Sequence, residues 1–281
     1  MIIKLKGTSF NEAITIGTEV QYDSNVDNLF INGYLKSASK NQKVALSSFL
    51  SDLHTENLWD KITGMYVPIL GKSVSDALLN VKTSYGSNNT LDSYPDGMLE
   101  MDADNNGIKG TGKVDFSDNW PDSTWYSTSV NPSDFHQCIV AKDYKPGSGQ
   151  VNFNISSIKK DRYGEILPFK VSAKSLYDNT LDVAGVEKSV SLQVPAIVSL
   201  TSEKNIIYNG EGTYYEGTES HTNYNCQIYP FFNGIYAVDN GNTTTYMQGL
   251  KFMSFGKSMT QKEMQKYYSF VKTLVDNLLE L

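Results

Sequence analysis

Arginine is almost missing from this 281-residue chain: of its 24 basic residues, only Arg162 is one. Arginine is the side chain that grips phosphate or carboxylate through two parallel hydrogen bonds, so such clamps have a single candidate position. The 31 acidic residues outnumber the basic ones, leaving a net charge of −7 and a pI near 5.0. Binding a phosphate backbone needs a basic footprint, and nucleic acid is therefore not an expected partner. Cysteine is nearly as scarce. Cys138 and Cys226 are too few for a disulfide scaffold, and two buried free thiols are the simpler expectation, with a pairing left open.

Long apolar runs are lacking too. No segment approaches the ~18 apolar residues of a membrane span. The opening stretch "MIIKLKGTSFNEAITIG" has no apolar core long enough for a secretory signal, so the chain is expected to be made and folded in a cytoplasm. Nucleophile-elbow, Walker and dinucleotide-binding motifs are missing. The histidines are His54, His136 and His221. His136 and Cys138, two apart, would share one strand face, but with His221 and Cys226 they fit no structural zinc spacing.

What the sequence does have is the composition of a folded β protein. Its 40% hydrophobic content, 18 tyrosines and 21 glycines suit half-buried sheet faces joined by tight turns. Two segments read as helices. In the first, from Ser39 to Trp59, Leu46, Phe49, Leu50 and Leu53 recur at i, i+3, i+4 and i+7. The second opens at Thr260 with a T-x-x-E capping box closed by Glu263. It buries Met264, Tyr267, Val271, Val275 and Leu278 and runs to the C-terminus. A short helical turn is expected between Ser73 and Val81.

Between the helices, short apolar or alternating runs are separated by Gly, Asn, Asp and Pro. They are "GKVDFS", "HQCIVAKDY", "QVNFNIS", "ILPFKVSA", "SVSLQVPAIVSL", "NIIYNG", "CQIYPFFNGIYAV" and "GLKFMSFG". So many short strands with turn signals point to a β-sandwich or jelly roll. Residues 1–36, with two weak strand-like runs, are expected to form a separate attachment or oligomerisation segment. Residues 37–281 form the main domain.

The order of certain residues resembles a recurrent pattern of bacteriophage virion proteins. The stretch Ala45 to Thr83 supplies Leu58, Trp59, Lys61, Met65, Tyr66, Pro68, Gly71, Ala77, Asn80 and Lys82 to that pattern. "NNGIKGTGKVDFSDNW" is similar to the family's Asn-Gly and Gly-x-Gly hairpin. "LKFMSFGKSMTQKEMQKYYSFVKTLVDNL" is similar to its closing strand and terminal helix, with Met259 where leucine is usual. The resemblance covers about 45–145 and 225–279. It implies a concanavalin A-like (LamG-like) jelly-roll β-sandwich with an N-proximal and a C-terminal helix. It implies a structural, non-enzymatic virion protein: a head fibre, capsid decoration or tail appendage. It also implies other capsid or tail proteins as partners and a homo-oligomer, for such fibres a trimer.

Three candidate chemistries remain. Glu100-x-Asp102-x-Asp104 resembles the E-x-D-x-E strand of retaining glycosidases on such jelly rolls, where two carboxyl groups must stand ~5–5.5 Å apart. Aspartate at 104 is one methylene short, and Ala103 followed by Asn-Asn-Gly ends the strand, so catalysis is not expected there. Asp102-x-Asp104-x-Asn106-Gly107 begins like an EF-hand loop, yet the twelfth position is Lys113 rather than the bidentate glutamate. A loose calcium site at Asp102, Asp104 and Asn106 stays open beside the plainer reading, a hairpin corner at Asn106-Gly107. The aromatic residues of "DNWPDSTWYSTS" and "NGEGTYYEGTESHTNYN" are the third candidate. Trp120, Trp125, Tyr126, Tyr214 and Tyr215 could stack on sugar rings of host or mucosal glycans while Asp118 and Asp122 accept hydroxyl bonds. Subunit contacts are the competing use of the same side chains.

Overall fold

A computed structural model describes residues 38–82, 99–104, 106–110, 128–131, 133–142, 151–161, 164–166, 170–175, 178–183, 186–210, 213–216, 226–236 and 249–281. Helix α1 (Lys40–Thr55) starts at Ser39, whose side chain accepts from the Gln42 N–H while Gln42 reaches back to the Ser39 N–H. This reciprocal cap satisfies two otherwise orphaned amides. The expected stripe of Leu46, Phe49, Leu50 and Leu53 is buried. After a 3₁₀ turn at Trp59–Lys61 come β1 (Ile62–Tyr66) and the short α2 (Val74–Ala77), where the helical turn was expected.

Fourteen more strands follow among the described residues. They are β2 (Leu99–Asp102), β3 (Gly107–Gly110), β4 (Thr128–Val130), β5 (Asp134–Val140), β6 (Val151–Asp161), β7 (Gly164–Ile166) and β8 (Lys170–Ser175). After them come β9 (Asp178–Val183), β10 (Val186–Ser189), β11 (Ala196–Thr201), β12 (Asn205–Tyr208), β13 (Thr213–Glu216), β14 (Cys226–Tyr236) and β15 (Phe252–Gly256). Helix α3 (Gln261–Leu279) closes the chain behind the expected Thr260–Glu263 capping box.

Two antiparallel sheets dominate. One has the order β1-β15-β5-β11-β12-β13; the other runs β10-β9-β8-β6-β14-β4 with β7 beside β6. This is the mainly β jelly-roll class, with a helix before and a helix after, that the sequence implies. No helix among the described residues is long and apolar enough to cross a membrane.

The first sheet is covered on both faces. Cys138, Val140, Ile197 and Phe252 share one buried cluster with Leu46, Phe49, Leu50 and Leu53 of α1 and with Met264, Tyr267, Val271, Leu274, Val275 and Leu278 of α3. Strand alternation sends Phe135, Ile139, Val198 and Leu200 to the opposite face, where they are buried as well. That double burial is why β5 reads as the unbroken run "FHQCIV" rather than as an alternating one.

Proline explains most departures from the expected strands. Of "SVSLQVPAIVSL", Ser189 ends β10 in the second sheet, and β11 of the first sheet begins only at Ala196, directly after Pro195. Of "ILPFKVSA", Ile166 ends β7 and Lys170 to Ala173 belong to β8. Inside β14 the pairing with β6 shifts register between Pro230 and Gly234, because proline has no N–H to give to the ladder. The loop expected over Asn209 to Asn225 contains a strand, β13, held by four residue pairs to β12. The runs "GKVDFS" and residues 1–36 lie outside the described residues.

Candidate functional site

The hairpin of β2 and β3 pairs Leu99 with Gly110, Glu100 with Lys109, Met101 with Ile108 and Asp102 with Gly107. Asn106 takes the left-handed conformation that closes its turn (φ 53°), a conformation Asn tolerates better than most residues. Gly107 serves a different purpose, for a Cβ there would meet the Leu250 carbonyl oxygen at 2.3 Å. Its missing side chain lets Ile108 and Leu250 exchange backbone hydrogen bonds of 3.1 and 2.9 Å.

This geometry separates the three acids. Glu100 forms a cross-strand ion pair with Lys109 at 3.2 Å, and its side chain is 55% exposed. The bond to Glu100 holds the Lys109 ammonium above its ordinary value. Asp102 is buried, and one carboxylate oxygen accepts from the Gly249 N–H at 2.8 Å. Asp104 sits in the exposed turn beyond the strand. The row therefore presents one paired glutamate, one backbone-capping aspartate and one solvated aspartate, not two carboxyls facing a common substrate. A calcium ion at Asp102, Asp104 and Asn106 would have to compete with Gly249 for Asp102. Among the described residues, no group of three or more His, Cys, Asp or Glu is placed to hold a metal ion.

Of the aromatic candidates, Asp118, Trp120, Asp122, Trp125 and Tyr126 lie outside the described residues. Tyr214 and Tyr215 lie on β13, paired with Ile207 and Ile206. Cys138 is free and buried, and burial pushes its thiol pKa well up; Cys226 belongs to β14 of the other sheet. His54 is solvent-exposed beside Trp59, their ring centroids 5.1 Å apart. His221 lies outside the described residues.

Two constellations were not foreseen in the sequence. The first joins residues of the virion-like pattern. The Asn80 side-chain oxygen accepts from the Met65 and Lys82 N–H groups, both at 3.0 Å, and the Val81 N–H reaches the Met65 carbonyl at 2.7 Å. The free edge of β1 is thereby covered. Lys61 spans some 200 residues of sequence: its Nζ donates to Glu263 at 2.8 Å and to the Ser258 carbonyl at 3.1 Å. The Lys257 N–H returns a bond to the Lys61 carbonyl at 2.8 Å.

The second constellation is a buried polar row between the sheet and α3. Ser254 and the Tyr267 hydroxyl share a hydrogen bond of 2.6 Å. The Ser199 hydroxyl donates to the Met259 carbonyl at 2.8 Å and accepts from the Met259 N–H at 2.9 Å. His136, cross-strand from Ser199, donates from Nδ1 to the Lys257 carbonyl and meets the Tyr267 ring edge-on. The polar residues His136 and Ser199 in otherwise apolar strands were the visible signal; their common partner α3 was not.

No protein-family model and no curated protein matches the sequence. Among solved structures, a mutant of Trypanosoma rangeli sialidase is similar over 84% of this chain and 39% of its own, with 7% identity and a TM-score of 0.39. A family 7 alginate lyase is similar over 71% of this chain and 95% of its own, with 13% identity and a TM-score of 0.37. The κ-carrageenase of Pseudoalteromonas carrageenovora covers 47% and 67%, with 11% identity and a TM-score of 0.28. The chain thus spans about two fifths of the sialidase. All three are named as enzymes, which the expectation of a non-enzymatic chain did not foresee.

Proposed function

We propose that this chain is a component of a phage virion, a head fibre, decoration or tail appendage, whose jelly roll presents a glycan-contacting surface. The observation that supports the reading is the clasp at Lys61. The two stretches that resemble virion proteins lie far apart in sequence, and Lys61 of the first bonds Glu263 and Ser258 of the second. Within the first stretch, Asn80 joins Met65 to Lys82, and Lys82 returns to Trp59. Gly71 packs so closely on Ala77 that a Cβ would come within 2.7 Å of its backbone. The pattern is thus, in this chain, a set of mutual contacts. Residues 1–36 would attach the domain to the particle and to its sister copies.

Immunogold labelling of purified particles, with an antibody to this chain, tests the setting. Label at one fixed place on the particle is expected; unlabelled particles from cells that make the chain would overturn it. The glycan surface is assigned to the Trp120, Trp125 and Tyr126 cluster with Tyr214 and Tyr215. A glycan array with wild type and Trp125→Ala should show a signal that the variant loses. Release of reducing sugar from any glycan so bound separates turnover from adhesion.

A further inference from the structure

The clearest unexplained group in the fold is His136. It is fully buried in the middle of the first sheet, on the face that receives α3. Its Nδ1 points at the Lys257 carbonyl oxygen, which can only accept, so Nδ1 carries the proton and Nε2 is left as a bare lone pair. Nε2 has no hydrogen-bond partner and no solvent contact. The neutral ring tolerates this at the cost of one unmade bond. A second proton at Nε2 would create a charged N–H with no acceptor among the described residues, out of reach of solvent.

The surroundings leave little to compensate. From α3 come the Tyr267 ring, whose hydroxyl is occupied by Ser254, and Glu263, whose carboxylate is held by Lys61 and Thr260. From the 3₁₀ turn comes the Lys61 ammonium, which repels a second positive charge. From β5 itself come Asp134, bonded to the Ser258 N–H and hydroxyl, and the neutral thiol of Cys138; from β11 comes Ser199, bonded to Met259. Burial chiefly, and Lys61 in addition, depress the imidazole to a pKa of about 4, against the opposing pull of the Lys257 carbonyl, Asp134 and Glu263. The Lys257 carbonyl that His136 holds lies four residues before the first residue of α3.

We propose that His136 is an acid-sensitive latch: gain of a proton at Nε2 releases the start of α3 from the sheet while the sheet itself stays folded. The release frees Lys257, lets water reach the imidazolium, and uncovers Tyr267 first, since its ring meets His136. Because the ring is charged in the open form and neutral in the closed one, opening becomes about 20-fold more frequent between pH 7 and pH 5.

Amide hydrogen exchange on the full chain tests this. Protection at Met264–Val271 should be lower than in β5 and β11, insensitive to low urea, and about 20-fold weaker at pH 5 than at pH 7 once intrinsic rates are removed. His136→Gln, which cannot titrate, should abolish the pH dependence. Equal protection in α3 and β11 would mean that α3 opens only when the whole domain unfolds. A pH dependence unchanged in the variant would assign it to another group. Either result overturns the latch. Should the variant not fold, the ring-proton NMR titration of His136 in wild type decides: a midpoint well below 5 is expected, and one near 6.5 refutes the proposal.

Discussion

Lys82 stands over the indole of Trp59, its Nζ 4.0 Å from the ring centroid, and donates to the Trp59 carbonyl oxygen at 2.8 Å. Two residues 23 apart in sequence, one beyond α2 and one in the 3₁₀ turn after α1, are thereby joined. Partial burial pulls the Lys82 ammonium below its ordinary pKa, with Asp60 offsetting part of that. The pairing therefore has to outweigh a desolvation cost. Lys82→Met keeps the apolar stem and removes both interactions, and should lower stability by about 1–2 kcal/mol. Urea unfolding followed by tryptophan fluorescence measures it; a change below a few tenths would mean the contact is incidental.

Asn80 is the more critical member of that set. It is 2% exposed, and its one oxygen satisfies two backbone amides. Asn80→Ala orphans the buried Met65 N–H and should cost about 2–3 kcal/mol, more than the loss of Lys82. Asn80→Asp retains an acceptor and should recover part of the loss at neutral pH. Thermal unfolding of the three proteins side by side ranks them, and an Asn80→Ala protein as stable as wild type would remove Asn80 from the role given to it here.

Helices, capping boxes and most strands were legible because each is a local pattern. Thr260 and Glu263 are three residues apart, and the apolar stripes of both helices repeat within a single turn or two. Proline was legible in principle, yet Pro195 and Pro230 acted in ways that depend on which sheet the chain joins next. β13 was hidden because "TYYE" draws its stability from pairing with β12, which no window of sequence contains. The separate roles of the acids in the β2–β3 hairpin were not legible for a related reason. Alternation gives Glu100 and Asp102 the same side of their strand, but only the approach of Gly249 decides that one is solvated and the other capped.

That approach gives Asp102 a role that requires no metal. Asp102→Ala should destabilise the protein by about 1–3 kcal/mol through the unmatched Gly249 N–H, equally in EDTA and in millimolar calcium. Asp102→Asn, which still offers an oxygen, should be much milder. A wild-type melting temperature that rises with calcium while that of Asp102→Ala does not would instead put a calcium ion in this turn.

Acid should weaken the fold in two separable steps. The folded pKa of His136, about 4, lies below the ordinary 6.5. The unfolded chain therefore binds a proton that the folded one refuses, and stability falls as pH drops from about 6.5 towards 4, by about 3 kcal/mol in all. Glu263 acts lower on the scale. Partial burial alone would raise its carboxyl, but the bonds from Lys61 and Thr260 win and hold it below the ordinary 4.5. Its contribution is therefore intact above 4.5 and is lost as pH falls through the depressed value. Denaturation midpoints measured from pH 8 to 3 should show both slopes. His136→Gln should flatten the upper slope alone and Glu263→Gln the lower one alone. Loss of both slopes in either variant would show that the histidine and the Lys61 clasp titrate as one unit.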